Sequence, residues 1–356
     1  MSDLLYDETE TELRGAVREF LDDRAPWQAV LEWTELDEPH DTSLWNGLTG
    51  MDVAALAIPE KLGGAGASWR ETAVVLEELG RSVAPVPFLT SSVLATAALL
   101  AADDHAYLRD LATGTLTAAL AIPFTTAPGV VFRNTVTNDG DRLSGTVTSV
   151  AHGLSADLLL VPTVEGLFAV GGGDVDRTAV ISLDRTRPLA DLSFDRAPAR
   201  RVAVGDLPLD HALSVGAGLL ASEQLGIAER CLDMTIAYVK TRYQFGRPVG
   251  SYQALKHRLA DLWASVGQAR AVARHAADCL ATDDPDVPVA VAVAQAHCSA
   301  VALKAAEECV QLHGGIGFTW EHPAHLLLKR AKSASLALGS PSSHRSVLAE
   351  LVELPL

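Results

Sequence analysis

The hydrophobic period of this chain changes twice, and that change limits its fold more than any other feature. From Leu4 to about Thr113 apolar residues recur at helical spacing, as in Leu13, Val17, Phe20 and Leu21. Asp7 or Thr9 stands where a helix cap is expected. A second stripe, Trp69, Ala73, Leu76 and Leu79, has Ser68 before it and Gly80 after it, a start and a stop signal. Ile58 to Gly66 reads as a Gly/Pro loop. From about Gly114 to Pro208 the runs shorten: Leu116–Ile122, Leu158–Val161 and Ala179–Leu183 alternate with Gly, Asp, Asn and Pro. Asn138 to Asp141 is a tight-turn signal between two β-rich runs. From Leu209 onward long helical patterns return, in Leu213 to Tyr238, Gln253 to Leu280 and Val287 to Val310. The reading is α+β, with a helical domain over 1–113, a β domain over 114–208 and a helical domain over 209–356. Helices, then strands, then helices argue against alternating βαβ units. No GxGxxG follows a strand, so a Rossmann site is not indicated.

Charge narrows the partners. The 356 residues hold 28 Lys and Arg against 45 Asp and Glu, a formal charge of −17. That opposes a nucleic-acid partner and an anionic membrane surface, both of which need basic faces. No uncharged apolar run of membrane-spanning length is seen, so no membrane span is expected. Met1 to Glu12 is acidic and lacks a signal core. Cys231, Cys279, Cys298 and Cys309 form no CxxC pair and fall in helical segments, which suits buried, reduced thiols and a cytoplasmic chain.

Two segments carry chemistry. In Arg242 to Gln253 one helix ends near Tyr243, Gly246, Pro248 and Gly250 make a tight connection, and Ser251 could cap the next helix. Arg242, Arg247, Lys256, His257 and Arg258 are the densest basic cluster in an acidic chain. A cluster beside a helix start suits a pyrophosphate; the other reading, which physics alone favours, is a helix hairpin with a solvated basic face. In Gln311 to Thr319, Gly314, Gly315 and Gly317 allow close backbone approach to a ligand, or end a helix. His313 beside them reads as a packing or backbone-bonding residue. His152, His211 and His344 show no metal-ligand spacing. Gly171 to Gly173 lacks the Lys-Ser/Thr of a phosphate loop.

In their order and separation, these two segments resemble the signatures of the acyl-CoA dehydrogenase family, RxxFGxxIxxFQ and QxxGGxGF/Y. Arg242, Phe245, Gly246 and Gln253 match the first, and Gln311, Gly314, Gly315, Gly317 and Phe318 match the second. Pro59-Glu60, Gly63-Gly64 and Glu77 to Arg81 match near the start. The resemblance implies an N-terminal helical domain, a middle β-barrel domain and a C-terminal four-helix bundle. It implies a FAD-dependent subunit catalysing α,β-dehydrogenation of an acyl-CoA, with electrons passing to an electron-transfer flavoprotein. It gives Arg242, Phe245, Gln253, Gln311, Gly314 and Gly315 the role of reaching across a subunit interface to a neighbour's FAD.

The family pattern fails where the chain would do the chemistry itself. Leu338 occupies the aligned position of the catalytic carboxylate, and the alternative position falls near Gly216, which is not acidic either. Glu223, two turns after Gly216 in the apolar run Leu219 to Ile227, is the remaining candidate base, since an apolar pocket raises a carboxyl pKa. Its other reading is a carboxylate paired with a basic partner. Ile122 to Gly129 lacks the flavin-contacting Thr-Glu-Pro segment, though Thr125 and Thr126 could still donate to a flavin. Thr148 to His152 stands where a flavin-stacking Trp is usual. These losses resemble the shortened partner subunit of actinobacterial α2β2 acyl-CoA dehydrogenases, which act on bulky thioesters such as sterol side chains. A homotetramer is the other assembly. The chain is then either a catalytic subunit with Glu223 as base or a non-catalytic one completing a partner's FAD site.

Overall fold

The computed structural model describes residues 4–36, 38–129 and 134–354. Helices α1 (Glu8–Arg24), α2 (Trp27–Trp33), α3 (Thr42–Thr49), α4 (Trp69–Ser82), α5 (Thr96–Ala101) and α6 (Leu108–Thr113) make the first domain. Asp7 and Ser68 each form a capping box, with Glu10 and Glu71, satisfying amides that the first helical turn leaves free. A π-helical segment, Leu89–Ala95, leads into α5 with every residue buried.

The middle domain holds β1 (Ala118–Leu120), β2 (Val136–Asp139), β3 (Arg142–Ala151), β4 (Leu158–Thr163), β5 (Gly166–Gly171), β6 (Asp176–Val180) and β7 (Leu189–Val204). The strands run β1-β4-β5-β7-β3-β2, with β6 also on β7. Strand β7 pairs β3 and β6 through its first part and β5 through its last. It thereby joins two layers around a core of Leu143, Val147, Leu159, Phe168, Leu192 and Phe194. Among the described residues the end strands β1 and β2 do not pair, so this barrel-like wrap is not closed by hydrogen bonds.

The last domain is built on α7 (Leu207–Thr241), α8 (Gln253–Ala281) and α9 (Val287–His313), with α10 (Ala324–Ala334) and α11 (Pro341–Leu351) packed on α9. Strands β8 (Tyr243–Gln244) and β9 (Arg247–Pro248) lie between α7 and α8.

Three local expectations are corrected. Gly80 lies inside α4, not after it. It is there because α7 crosses so closely that a Cβ would lie 2.1 Å from the Glu223 carbonyl oxygen. Gly226 answers it on α7, where a Cβ would lie 1.8 Å from the Glu77 carbonyl oxygen. Ser251 caps nothing: α8 starts at Gln253 with no side-chain cap, and the Ser251 hydroxyl is buried without a partner. Finally, the segment Val287–Phe318 is long and apolar enough to cross a membrane, with mean hydropathy 1.5. The fold buries 67% of that window, which is what a bundle's central helix requires. All four cysteines are buried and free.

Candidate functional site

The first signature folds into a two-residue hairpin. Tyr243 pairs Pro248 and Gln244 pairs Arg247, leaving Phe245 and Gly246 at the tip with φ of 52° and 77°. A turn with two positive φ values matches the twist of the flanking strands. Gly246 adopts it freely, whereas Phe245 is strained there. The strained ring is almost fully exposed, at 92%. Arg242 caps α7 through its amide to the Tyr238 carbonyl, and its own carbonyl accepts from the Val249 amide. The Arg247 guanidinium stacks on the Tyr252 ring at 3.8 Å.

The second signature is a tight turn, Gly314–Phe318, that ends α9. Gly314 has φ +64° and ψ −139°, a backbone state closed to most L residues. Nothing lies within 4 Å of a Cβ placed on Gly314 or Gly315, so their backbone faces open space. Gly317 is different: a Cβ there would lie 2.5 Å from the Val310 carbonyl oxygen, so it serves packing.

Both signatures meet in one cleft of about 580 Å³. Arg242, Gln244, Val249, Leu255 and Arg258 form one wall, and Gln311 to Ile316 the other, with Tyr238 and His313 at the base. Arg258 is neutralised by Glu308 at 2.6 Å, while Arg242 has no acidic partner among the described residues. Phe245 projects from the hairpin tip and Gln253 opens α8, and neither lines the cleft. Tyr238 is one of the lining residues that sequence reasoning missed as a site, together with Gln244, Val249, Leu255 and Ile316. Its only signal was its place one turn before Arg242. The cleft suits the adenosine diphosphate part of a dinucleotide: an unpaired guanidinium, a side-chain amide and a glycine backbone face one space.

Glu223 is elsewhere, and its setting is not the apolar pocket expected from its neighbours. One carboxylate oxygen accepts from Arg187 Nη2, and the other from Arg330 Nη1 at 3.4 Å. Arg330 Nε also meets Asp184 at 2.8 Å. Two acids and two arginines make a neutral buried cluster. Burial works against the Arg330 charge, but Asp184 and Glu223 outweigh it; burial pulls the Arg187 guanidinium down. Arg330 Nη2 donates further to Thr186 and to the Ala84 carbonyl oxygen, so one guanidinium ties all three domains. The geometry is that of the other reading, a carboxylate paired with basic partners, and both Glu223 oxygens are occupied.

The two positions at which the family's base is expected come face to face. A Cβ on Gly216 would lie 2.3 Å from Leu94 Cδ2 and 3.1 Å from Leu338 Cδ1. Leu338 is fully buried with φ of 52°, and its amide donates to the Phe124 carbonyl oxygen at 2.8 Å. A Cβ on Gly339 would come within 2.8 Å of Ala127 Cβ. Phe124 in turn donates its amide to Ser149, and Arg187 covers its ring at 5.4 Å. Thr125 is exposed, and the Thr126 hydroxyl donates to Pro123. Middle domain and bundle are thus joined directly, by the Leu338 amide on the Phe124 carbonyl oxygen.

Models of the acyl-CoA dehydrogenase N-terminal and C-terminal domains match residues 7–115 and 209–352. The chain belongs to the acyl-CoA dehydrogenase family. Homologues in this family are FAD-dependent oxidoreductases acting on CH–CH bonds. The acyl-CoA dehydrogenase IpdE2 of Mycobacterium tuberculosis is 38% identical over 345 residues, covering 95% of each chain. Among solved structures, the ChsE4-ChsE5 complex from Mycobacterium tuberculosis matches with TM-score 0.89 and 30% identity, over 99% of this chain and all of that one. The Tcur3481-Tcur3483 steroid acyl-CoA dehydrogenase, in a G363A variant, matches with TM-score 0.86 and 32% identity, over 97% and 98%.

Proposed function

We propose that this chain is the non-catalytic subunit of a heteromeric, FAD-dependent acyl-CoA dehydrogenase, completing the FAD site of a homologous partner in an α2β2 tetramer. The observation that carries this reading is Leu338 packed over Gly216, which leaves neither family position a carboxylate nor room for one. Its direction is supported by the open cleft of Arg242, Gln311, Gly314 and Gly315, and by the direct hydrogen bond of Leu338 to Phe124 on the middle-domain side.

In the assembly, the bound flavin supplies the acceptor for the substrate's β hydrogen. This chain's residues hold and orient. Arg242 neutralises phosphate charge, Gln311 donates or accepts through its amide, and Gly314 and Gly315 let backbone approach without a side chain between. Exposed Tyr243 and Phe245 on the hairpin, and Phe318 at the end of the glycine turn, offer apolar surface against which a partner packs. The α proton is removed on the partner, and electrons leave to an electron-transfer flavoprotein. Two similar solved structures are the ChsE4-ChsE5 complex and the Tcur3481-Tcur3483 steroid acyl-CoA dehydrogenase. They support a heteromer acting on a bulky, sterol-derived thioester.

The test is flavin content per chain. Expressed alone, the chain is expected to purify colourless. Co-expressed with a neighbouring dehydrogenase gene, it is expected to yield a yellow complex with half as many flavins as chains. A yellow, active homo-oligomer of this chain would overturn the reading.

A further inference from the structure

His313 is the last residue of α9 and lines the cleft between Gln311 and Gly314. Its ring is held on both faces, by Tyr238 at 4.4 Å and His322 at 4.2 Å between centroids. Nδ1 lies 2.7 Å from the Cys309 carbonyl oxygen and so carries a proton donated to it. The Cys309 sulfur is 3.7 Å from the same nitrogen. Nε2 has no partner among the described residues. One edge of the imidazole is therefore committed to its own helix, and the other is left for whatever fills the cleft.

The state of Nε2 decides what it does there. Neutral, with the proton on Nδ1, it presents a lone pair, which repels a phosphate oxygen; protonated, it donates. Several features favour the cation. The ring sits at a helix C-terminus, where carbonyl dipoles stabilise positive charge. It lies against an aromatic face, that of Tyr238. Burial works against the charge, but the contacts with Cys309 outweigh it and lift the imidazole above its usual range.

The facing groups come from every neighbouring element. On α7, burial pushes the Cys231 thiol well up, and Cys231 in turn holds Cys309 down, at about 5. Before α10, burial and the charge of His313 bring His322 down to about 4, so it stays neutral. Across the cleft, Arg242 opposes protonation and Arg258 is balanced by Glu308.

We propose that His313 is a proton-gated contact to the pyrophosphate of the dinucleotide held in this cleft, so that capture weakens as the imidazole deprotonates. The inference rests on the cleft being a FAD contact. It adds a pH dependence that Arg242, charged throughout, cannot supply.

The test takes the deflavinated complex co-purified with the partner dehydrogenase and titrates it with FAD, following flavin fluorescence anisotropy from about pH 6 to about pH 9 at constant ionic strength. The dissociation constant is expected to rise about tenfold across that range, the loss of one charge-assisted hydrogen bond. In His313→Gln, whose amide does not titrate, the dependence is expected to vanish. An unchanged slope in that variant, or a flat wild type, overturns the proposal. Arg242→Ala separates the two readings: it is expected to weaken FAD at every pH and to keep the slope. If FAD does not bind the wild type even at low pH, the cleft reading fails and this inference falls with it. Where the Gln variant does not fold, the wild type still decides by NMR. FAD must shift the His313 titration upward, by linkage, and an unshifted titration sinks the idea.

Discussion

Leu338 closes over Gly216, so that a single methyl added at Gly216 would come within 3.1 Å of Leu338 and 2.3 Å of Leu94. The aligned catalytic position is filled by hydrocarbon. Leu338→Glu is therefore expected to bury an unpaired carboxylate and to create no activity. It is expected to lower the chain's stability by several kcal/mol. Thermal unfolding and a dye-reduction assay on the co-purified assembly check both parts. A folded Leu338→Glu chain that dehydrogenates by itself would refute the claim that the site is shut.

Glu223→Gln is expected to destabilise the chain by roughly 3–5 kcal/mol, because it leaves a buried guanidinium uncompensated. Turnover per bound flavin is expected to stay unchanged in whatever assembly forms. The double variant Glu223→Gln, Arg187→Met is expected to recover part of the loss. Urea denaturation and flavin-normalised rates measure these effects. A turnover loss of several orders of magnitude with an intact fold would reinstate Glu223 as the base.

Gly80→Ala and Gly226→Ala test the crossing of α4 and α7. Alanine is the better helix former by about 1 kcal/mol, so an isolated helix would gain. Here each methyl meets a backbone carbonyl oxygen, at 2.1 Å and 1.8 Å, that no rotamer can move. Each variant is expected to be destabilised by about 1–3 kcal/mol or more. Neutral or stabilised variants in urea melts would show that the helices can part without penalty.

Phe245 holds a positive φ at a hairpin tip with its ring in water. Phe245→Asn is expected to stabilise the free chain by about 1 kcal/mol, since Asn tolerates that conformation. It is also expected to weaken binding to the partner subunit. Denaturation of the free chain and co-purification yield read the two effects separately. A variant that gains stability with undiminished assembly would deny Phe245 any interface role.

Local physics made much of the architecture legible. Caps at Asp7 and Ser68, the turn at Asn138 to Asp141 and the apolar faces of the long helices all depend on residues a few positions apart. What escaped was set by distance in sequence. Nothing near Glu223 announces arginines 36 residues upstream and 107 downstream. Gly80 looks like a helix stop until another helix is laid across it. The cleft was half legible. Arg242, Gln311, Gly314 and Gly315 share it, whereas Phe245, Gln253, Thr125 and Thr126 do not line it.

The Arg330 guanidinium grips the first domain at Ala84, the second at Asp184 and Thr186, and the third at Glu223. A fastener shared by three domains links their fates. Calorimetry is expected to record one heat-absorption peak, with no step in which the sheet domain melts ahead of the helices. Limited proteolysis is expected to release no stable fragment. Such a chain is expected to fold and unfold as one body.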